Sequence, residues 1–519
     1  MASTTPPPRH LPHRHLHRLQ RPTLTPTAMK KPHSSSPLSR RRFLGQLGCK
    51  GMTSLPILNT LLNLRLAEGI ANASTPAQGE YRALICLFFA GGNDSFNMLV
   101  PREPSAYTTY QNSRANLALQ YSANPAQSQL IEIQPENTST FAIHSGMPHL
   151  ASLFEAGHAS FLANVGTLIE PVTNRSEVEA SLKRLPLGLY SHSDQIEQWQ
   201  TGIPHSRSGI GWGGRMSDLL QDLNSIQSIP MQISLDGGNV WQTGNQVSEY
   251  AITPNGAVGL SDYNFAWQQY QDLRNAMSHA VDSQLSQPYS NLLAQTFNTR
   301  KKQALDAYEI FAAATAPPLP PGITFPSTYV GQRLAQIART IQGRVGLGAT
   351  RQTFFIQWGG WDHHSDVLLY QNDMLPQVSE ALNAFHYAMI AIGTAQSDPT
   401  LKDKVCLFTA SDFGRTLTSN GRGSDHAWGS NQLILGGGVQ GKRIFGQYPN
   451  LAVNADTGSE VNPLDTGRGR FIPTTSCDLF FAELALWLGV NKSDLPLILP
   501  NIGNFYDITN PAPPIGMLL

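Results

Sequence analysis

Charge and cysteine are scarce in this chain. Asp, Glu, Lys and Arg together make up 14% of its 519 residues. That is too little for a coiled coil, and 40% apolar residues are too many for a disordered polymer. The 36 basic and 36 acidic residues cancel, leaving no basic excess with which to hold nucleic acid. Four cysteines do not make the disulfide framework of a small secreted domain. They also lack the spacing of an iron–sulfur ligand run. No G-x-G-x-x-G fingerprint is present: Gly436-Gly437-Gly438 has neither the spacing nor a following helical pattern. A redox enzyme built on those cofactors is therefore disfavoured. No stable membrane span is read, and there is no internal repeat. The length suits several domains, or one large α/β domain carrying insertions.

The cancelled charge hides an asymmetry. Residues 1–73 hold 11 basic residues and one acid, Glu68, which leaves 25 basic and 35 acidic residues from 74 onward. Residues 1–28 are rich in Pro, His, Arg and Thr without an apolar period, and read as a disordered or non-native extension. Met29 is then the expected natural start, with Met1 the alternative. Lys30-Lys31 and Ser39-Arg40-Arg41-Arg42-Phe43-Leu44 follow, then a short apolar stretch interrupted by Pro56 and Arg65. Ala71-Asn72-Ala73 fits a small-x-small peptidase site. Residues 29–73 in this order resemble a twin-arginine signal peptide, whose partner is the twin-arginine export machinery and whose destination is the periplasm or the cell exterior. Cleavage after Ala73 removes Cys49 and leaves Cys86, Cys406 and Cys477. Cys86 and Cys406 lie inside apolar runs, as small buried hydrophobes do.

From residue 74 to 519 the pattern is that of a single α/β domain. Continuous apolar runs at Arg82–Ala90, Ala159–Val165, Thr353–Gln357, Val405–Ala410 and Gln432–Leu435 suit strands buried on both faces. Helical spacing appears at His144–Ala156, at 329–347, at Leu375–Ile392 and at Leu479–Leu488. The alternation predicts a mainly parallel central sheet with helices on both faces. Residues 166–325 break the rhythm with a Gln-rich helical stretch near 264–314 and Pro317-Pro318-Leu319-Pro320-Pro321, and read as an inserted helical or cap region.

Three of the apolar strands run into polar turns: Gly91-Gly92-Asn93-Asp94-Ser95, Gly359-Gly360-Trp361-Asp362-His363-His364, and Ser411-Asp412-Phe413-Gly414-Arg415-Thr416. A fourth cluster is Gly423-Ser424-Asp425-His426-Ala427-Trp428-Gly429. Ligands of open α/β sheets bind outside the carboxyl ends of the strands, so these turns are expected to converge. Any one of them also reads as a helix cap or turn, Asp94 in particular. Together, three Asp with two or three His suit a divalent cation such as Zn²⁺ or Mn²⁺.

The leader, FFAGGNDSFN, LYSHSDQ, GGWDHH, SDFGRT and GSDHAWG occur in the order of an exported bacterial family, domain of unknown function 1501. That family is similar to the alkaline phosphatase/sulfatase superfamily, and the resemblance runs from Arg40 to about Val490. It implies an alkaline-phosphatase-like fold. It implies metal ligation by Asp94, Asp362, His364 (or His363), Asp412 and His426, with Asp425 in the same cluster. Where the superfamily has Asp-His, this chain has Asp412-Phe413, and His192 is the nearest substitute for the missing nitrogen. Ser191 matches the nucleophile position; an N-cap serine is the alternative. Arg415 is expected to grip non-bridging oxygens, or else to form a surface ion pair. The sulfatase motif Cys-x-Pro-x-Arg is absent. The implied activity is metal-dependent hydrolysis or transfer on a phosphate or related ester, either a small molecule or polymer-linked. The rival reading is a non-catalytic exported binding or assembly protein on a degenerate hydrolase fold.

Overall fold

The computed structural model describes residues 80–260, 263, 270–454 and 461–518. The N-terminal extension, the signal peptide and Cys49 lie outside them. Among the described residues thirteen strands run in chain order: β1 Arg82–Phe89, β2 Leu99–Pro101, β3 Leu130–Ile133, β4 Phe141–His144, β5 Ala159–Gly166, β6 Gln232–Ser234, β7 Tyr250–Thr253, β8 Gly256–Ala257, β9 Arg351–Trp358, β10 Val405–Ser411, β11 Ser430–Gly436, β12 Ile444–Gly446 and β13 Thr475–Ser476. Ten form one sheet in the order β12-β5-β11-β10-β1-β9-β6-β7-β8, with β13 beside β5. Its pairings are mostly parallel; β11 runs against both β10 and β5, and β8 against β7. β2, β4 and β3 form a small antiparallel sheet.

The centre of the large sheet is β10-β1-β9, all parallel, with Phe89 opposite Ser411 on one side and Trp358 on the other. Side chains of a strand alternate between faces, and β1 does so cleanly. Ala83, Ile85, Leu87 and Phe89 enter a core shared with helices Pro148–Glu155, Tyr329–Gln342 and Val367–Ala395. Leu84, Cys86 and Phe88 enter a second core shared with helices Trp212–Leu220 and Cys477–Leu488. Helices therefore cover both faces. Each buried Leu, Ile or Phe contributes roughly 1.5–3 kcal/mol, and hence the sheet is apolar on both sides. Local signals agree: Thr328 Oγ1 accepts from Gly331 N at the start of Tyr329–Gln342, and Gly489 in the left-handed region closes Cys477–Leu488.

Two expectations change. His144 ends strand β4 rather than opening a helix, and the helix begins at Pro148, where proline suits the first turn. The segment 166–325 is not set apart from the sheet. β6 pairs in parallel with β9 and carries β7 and β8, and helix Trp212–Leu220 packs on the sheet's second face. Helices Gln271–Ser286 and Leu292–Thr315 account for the Gln-rich part. Among the described residues no helix is long and apolar enough to cross a membrane. Cys86, Cys406 and Cys477 are free and buried.

Candidate metal centre

Because β10, β1 and β9 are parallel neighbours, their carboxyl ends leave the sheet at one edge, and their polar turns meet there. The turns are stitched together. Ala90 N donates to Trp358 O and Trp361 N to Ala90 O. Gly91 N donates to Asp412 Oδ1 at 2.9 Å and Asn93 N to Ser411 Oγ at 2.8 Å. Two glycines make the approach possible. Gly91 has φ +124°, and a Cβ there would stand 2.5 Å from Asp362 N. Gly92 has φ +86°, and its Cβ would meet the Phe413 ring at 2.5 Å.

Four side chains converge at this edge: Asp362, His192, His364 and His426. Asp362 Oδ1 lies 3.0 Å from His364 Nε2 and 3.3 Å from His426 Nε2, and Asp362 Oδ2 lies 3.5 Å from His192 Nε2. His364 Nε2 and His426 Nε2 are 2.9 Å apart. Each ring is held from behind through Nδ1: His192 by Asp412 Oδ2 at 2.7 Å, His364 by Asp425 Oδ1 at 3.0 Å, His426 by the Tyr190 carbonyl at 2.8 Å. A carbonyl only accepts, so His426 carries its proton on Nδ1 and turns a lone pair inward from Nε2. The Tyr190 backbone that offers this carbonyl sits at φ +73°, an uncommon conformation for a non-glycine residue. Ligand atoms of His192, Asp362 and His426 all lie within 4.8 Å of one another, a group that could hold a metal ion. Asp362 and His364 are 41% and 45% exposed, so the cluster opens to solvent.

The electrostatics follow from the partners. The Asp412 hydrogen bond raises the His192 pKa. Burial pushes His426 below the ordinary imidazole value. Burial would raise the Asp362 carboxyl, but the Arg415 guanidinium and the neighbouring histidines outweigh it and hold it low. Asp425 is likewise pushed up by burial and pulled further down by Asn420, Arg468 and His364, to about 2. It is therefore an acceptor only, and His364 also carries its proton on Nδ1.

The other expected residues are placed differently. His364 reaches Asp362 and His426, whereas His363 is buried, stacked on Tyr370, with no partner for either ring nitrogen. Burial pushes His363 down to about 4. Asp94 stands outside the convergent group: its Oδ2 pairs with the buried Arg114 at 2.6 Å and accepts from Ser424 Oγ at 3.2 Å. Arg415 is fully buried rather than a surface ion pair. Its guanidinium donates to Asp362 Oδ1 at 2.6 Å and to the Ser424 carbonyl. Three of its five N–H donors are engaged within the protein, and through one of them Arg415 positions Asp362. Ser191 precedes helix His192–Thr201, makes no side-chain capping bond, and lies 3.1 Å from Ser193 Oγ. Phe413 is buried against the His192 and His426 rings, at 4.9 and 4.5 Å between centroids. Arg114, Ser424, Arg468 and the Tyr190 carbonyl went unnoticed in the sequence. Arg114 has no local signal at all, and Ser424 and Tyr190 lie inside two of the quoted motifs without standing out.

No curated protein matches the chain. Among solved structures, the crystal structure of Ps i-CgsB in complex with k-i-k-neocarrahexaose is 12% identical, covering 81% of this chain and 77% of that one with a TM-score of 0.27. The PsFucS1 sulfatase from Pseudoalteromonas sp. is 11% identical, covering 76% and 70% with a TM-score of 0.27. Residues 81–466, well over half of the 519, match the family model described as "Protein of unknown function (DUF1501)", and the chain belongs to that family.

Proposed function

We propose that this protein is an exported, metal-dependent hydrolase or transferase of phosphate or related esters, on a fold of alkaline phosphatase type. One observation carries the metal: His364 and His426 face each other at 2.9 Å through Nε2 atoms, with both protons committed to Nδ1, beside an ionised Asp362. Lone pairs so placed repel unless a shared proton or a metal cation lies among them. Donor atoms around a four-coordinate zinc at about 2.0–2.1 Å stand roughly 3.3 Å apart. The contacts here run from 2.9 to 3.5 Å. Two imidazoles and one carboxylate, as in the trio His192, Asp362 and His426, suit Zn²⁺ or Mn²⁺.

Such an ion, when bound, polarises an ester oxygen and lowers the pKa of a bound hydroxyl. The chain's own residues do the rest. Asp362 and His426 are shared by two trios of donors, which His192 and His364 complete. Asp412, Asp425 and the Tyr190 carbonyl orient the imidazoles, as outer partners of metal-bound histidines do. Asp412 is spent on His192 and Gly91, and Phe413 fills the space beside it, so the reading requires one ion. Arg415 holds Asp362, and Asp94 holds Arg415 through Ser424. Ser191 is the nucleophile. Its Oγ–P bond forms as the ester P–O bond breaks, and its proton ends on the departing alcohol. Export rests on the leader, and replacing Arg40 and Arg41 by lysine is expected to retain the protein in the cytoplasm.

Elemental analysis of the full chain, purified without chelator, tests the reading. About one divalent ion per chain is expected, together with its loss in Asp362→Ala and His426→Ala, and metal-dependent turnover of aryl phosphates or diesters. Absence of a near-stoichiometric metal, or turnover unchanged in both variants, overturns it. Phe413 favours a second reading, a non-catalytic exported binding protein. That reading predicts metal-dependent stability without turnover of any ester class.

A further inference from the structure

An open depression of about 610 Å³ is lined by none of the four convergent side chains. One wall is a single helix face: Ser193, Glu197 and Gln200 recur at helical spacing on His192–Thr201. Asn239 with its neighbours and Gln357, near the end of β9, complete the lining. Two lining residues lie close in the chain to residues of the centre. Ser193 follows His192 in the same helical turn, and Gln357 leads through the exposed Gly359 and Gly360 to Asp362.

The lining has a distinct chemistry. It contains one acid, Glu197, and one base, Arg207, which cancel. Both are already engaged: Glu197 accepts from Ser208 N at 2.6 Å, and Arg207 pairs with Asp194 at 2.9 Å. No aromatic ring lines the cavity, so nothing there stacks a nucleobase or an aryl group. Its surface is somewhat more apolar than polar, with Ile196 and Val240 in the apolar part; the Gln200 amide is engaged with Val240 and Trp241, and the Asn239 amide with Gln242. The Gln357 amide makes no bond among the described residues; only its backbone is engaged, with Asp236 and Tyr329. A lining without net charge, with a free Gln357 amide and the Ser193 and Ser208 hydroxyls among apolar patches, suits a neutral ligand that presents both hydroxyl groups and C–H faces.

We propose that this cavity binds the uncharged, polyhydroxylated part of the substrate, a saccharide unit carrying the ester, while the anionic group lies at the metal centre. The assignment of the ester to that centre rests on the function proposed above; the saccharide site itself does not. The test is therefore binding rather than turnover. Full-length protein, with metal and after chelation, is titrated calorimetrically with maltohexaose, cellohexaose and xylohexaose, and with adenosine as the aromatic control. At least one hexasaccharide is expected to bind, equally in both forms, and adenosine is not. Gln357→Leu removes one hydrogen-bonding group and is expected to weaken binding roughly five- to tenfold. Ser193→Leu, which puts a larger apolar side chain into the lining, is expected to abolish it. Thermal unfolding checks that both variants are folded. Failure of all three hexasaccharides, equal binding of adenosine, or affinities untouched by both variants overturns the proposal. Saccharide binding by a protein that holds no metal overturns only the hydrolase reading; metal without saccharide binding overturns only this one.

Discussion

Three histidines in one place differ in what holds them, and that difference sets how protons compete with a cation. His192 is raised by Asp412, whereas His426 is lowered by burial and Asp362 is held ionised. A raised imidazole keeps its proton to higher pH than a free one, and a protonated ring cannot ligate. Metal affinity is therefore expected to be complete above the His192 pKa and to fall as pH drops through it, above the ordinary value of 6.5. Asp412→Asn removes the raising partner. It is expected to move the midpoint of the affinity–pH curve toward acid while weakening binding about 10- to 100-fold through lost orientation. Competition with a chromophoric chelator across pH measures both effects. An unchanged midpoint would show that His192 is not a ligand. The residues of this centre were legible as types and as strand-end clusters. Which nitrogen faces inward was not, because that depends on acceptors such as the Tyr190 carbonyl, far away in sequence.

At the scale of elements, long apolar runs read correctly as strands because they are buried on both faces, and β1, β9 and β10 are of that kind. Short strands with polar neighbours, β6 to β8, gave no such signal, nor did helix Trp212–Leu220, whose first turn holds Gly213 and Gly214. Tertiary packing stabilises these elements, and local propensity does not. The turn after β1 carries a clear mechanical demand. In Gly91→Ala the new methyl meets Asp362 N in a backbone that L-residues rarely adopt. A stability loss of about 1–3 kcal/mol is expected, with weakened metal binding, measured by denaturant unfolding and elemental analysis. The first turn of helix Cys477–Leu488 carries another demand. Burial pushes the Asp478 carboxyl from 3.8 up to about 7, and its Oδ1 has no partner. A raised carboxyl binds its proton more tightly when folded, so stability falls as pH rises from 3.8 to about 7 and the loss is complete above that. Asp478→Asn is expected to unfold at higher temperature than the parent at pH 8, with a smaller difference at pH 4.

For the whole molecule, the order β10-β1-β9 explains why segments hundreds of residues apart share one site. Pairing order is invisible in a single sequence, so convergence was an expectation drawn from strand-end chemistry. A ligand that binds only the assembled edge stabilises everything that assembles it. At a free metal concentration about a thousandfold above Kd the gain is about 4 kcal/mol. Addition of Zn²⁺ or Mn²⁺ to chelated protein is expected to raise the unfolding temperature, and Asp362→Ala to abolish the rise.

The buried thiols give the sheet a reporter of its own. Cys86 lies on β1 and Cys406 on the neighbouring β10, with 3% and 0% of their surface reached by solvent. Cys477 starts the helix that packs over them. A thiol reagent meets none of the three in the intact molecule. Loosening of the outer strands leaves Cys86 and Cys406 concealed, because the middle of the sheet must part before a reagent can enter. The time course of alkylation at these two positions is thus a clock for opening of the central strands, the same strands whose ends carry Asp362 and Asp412.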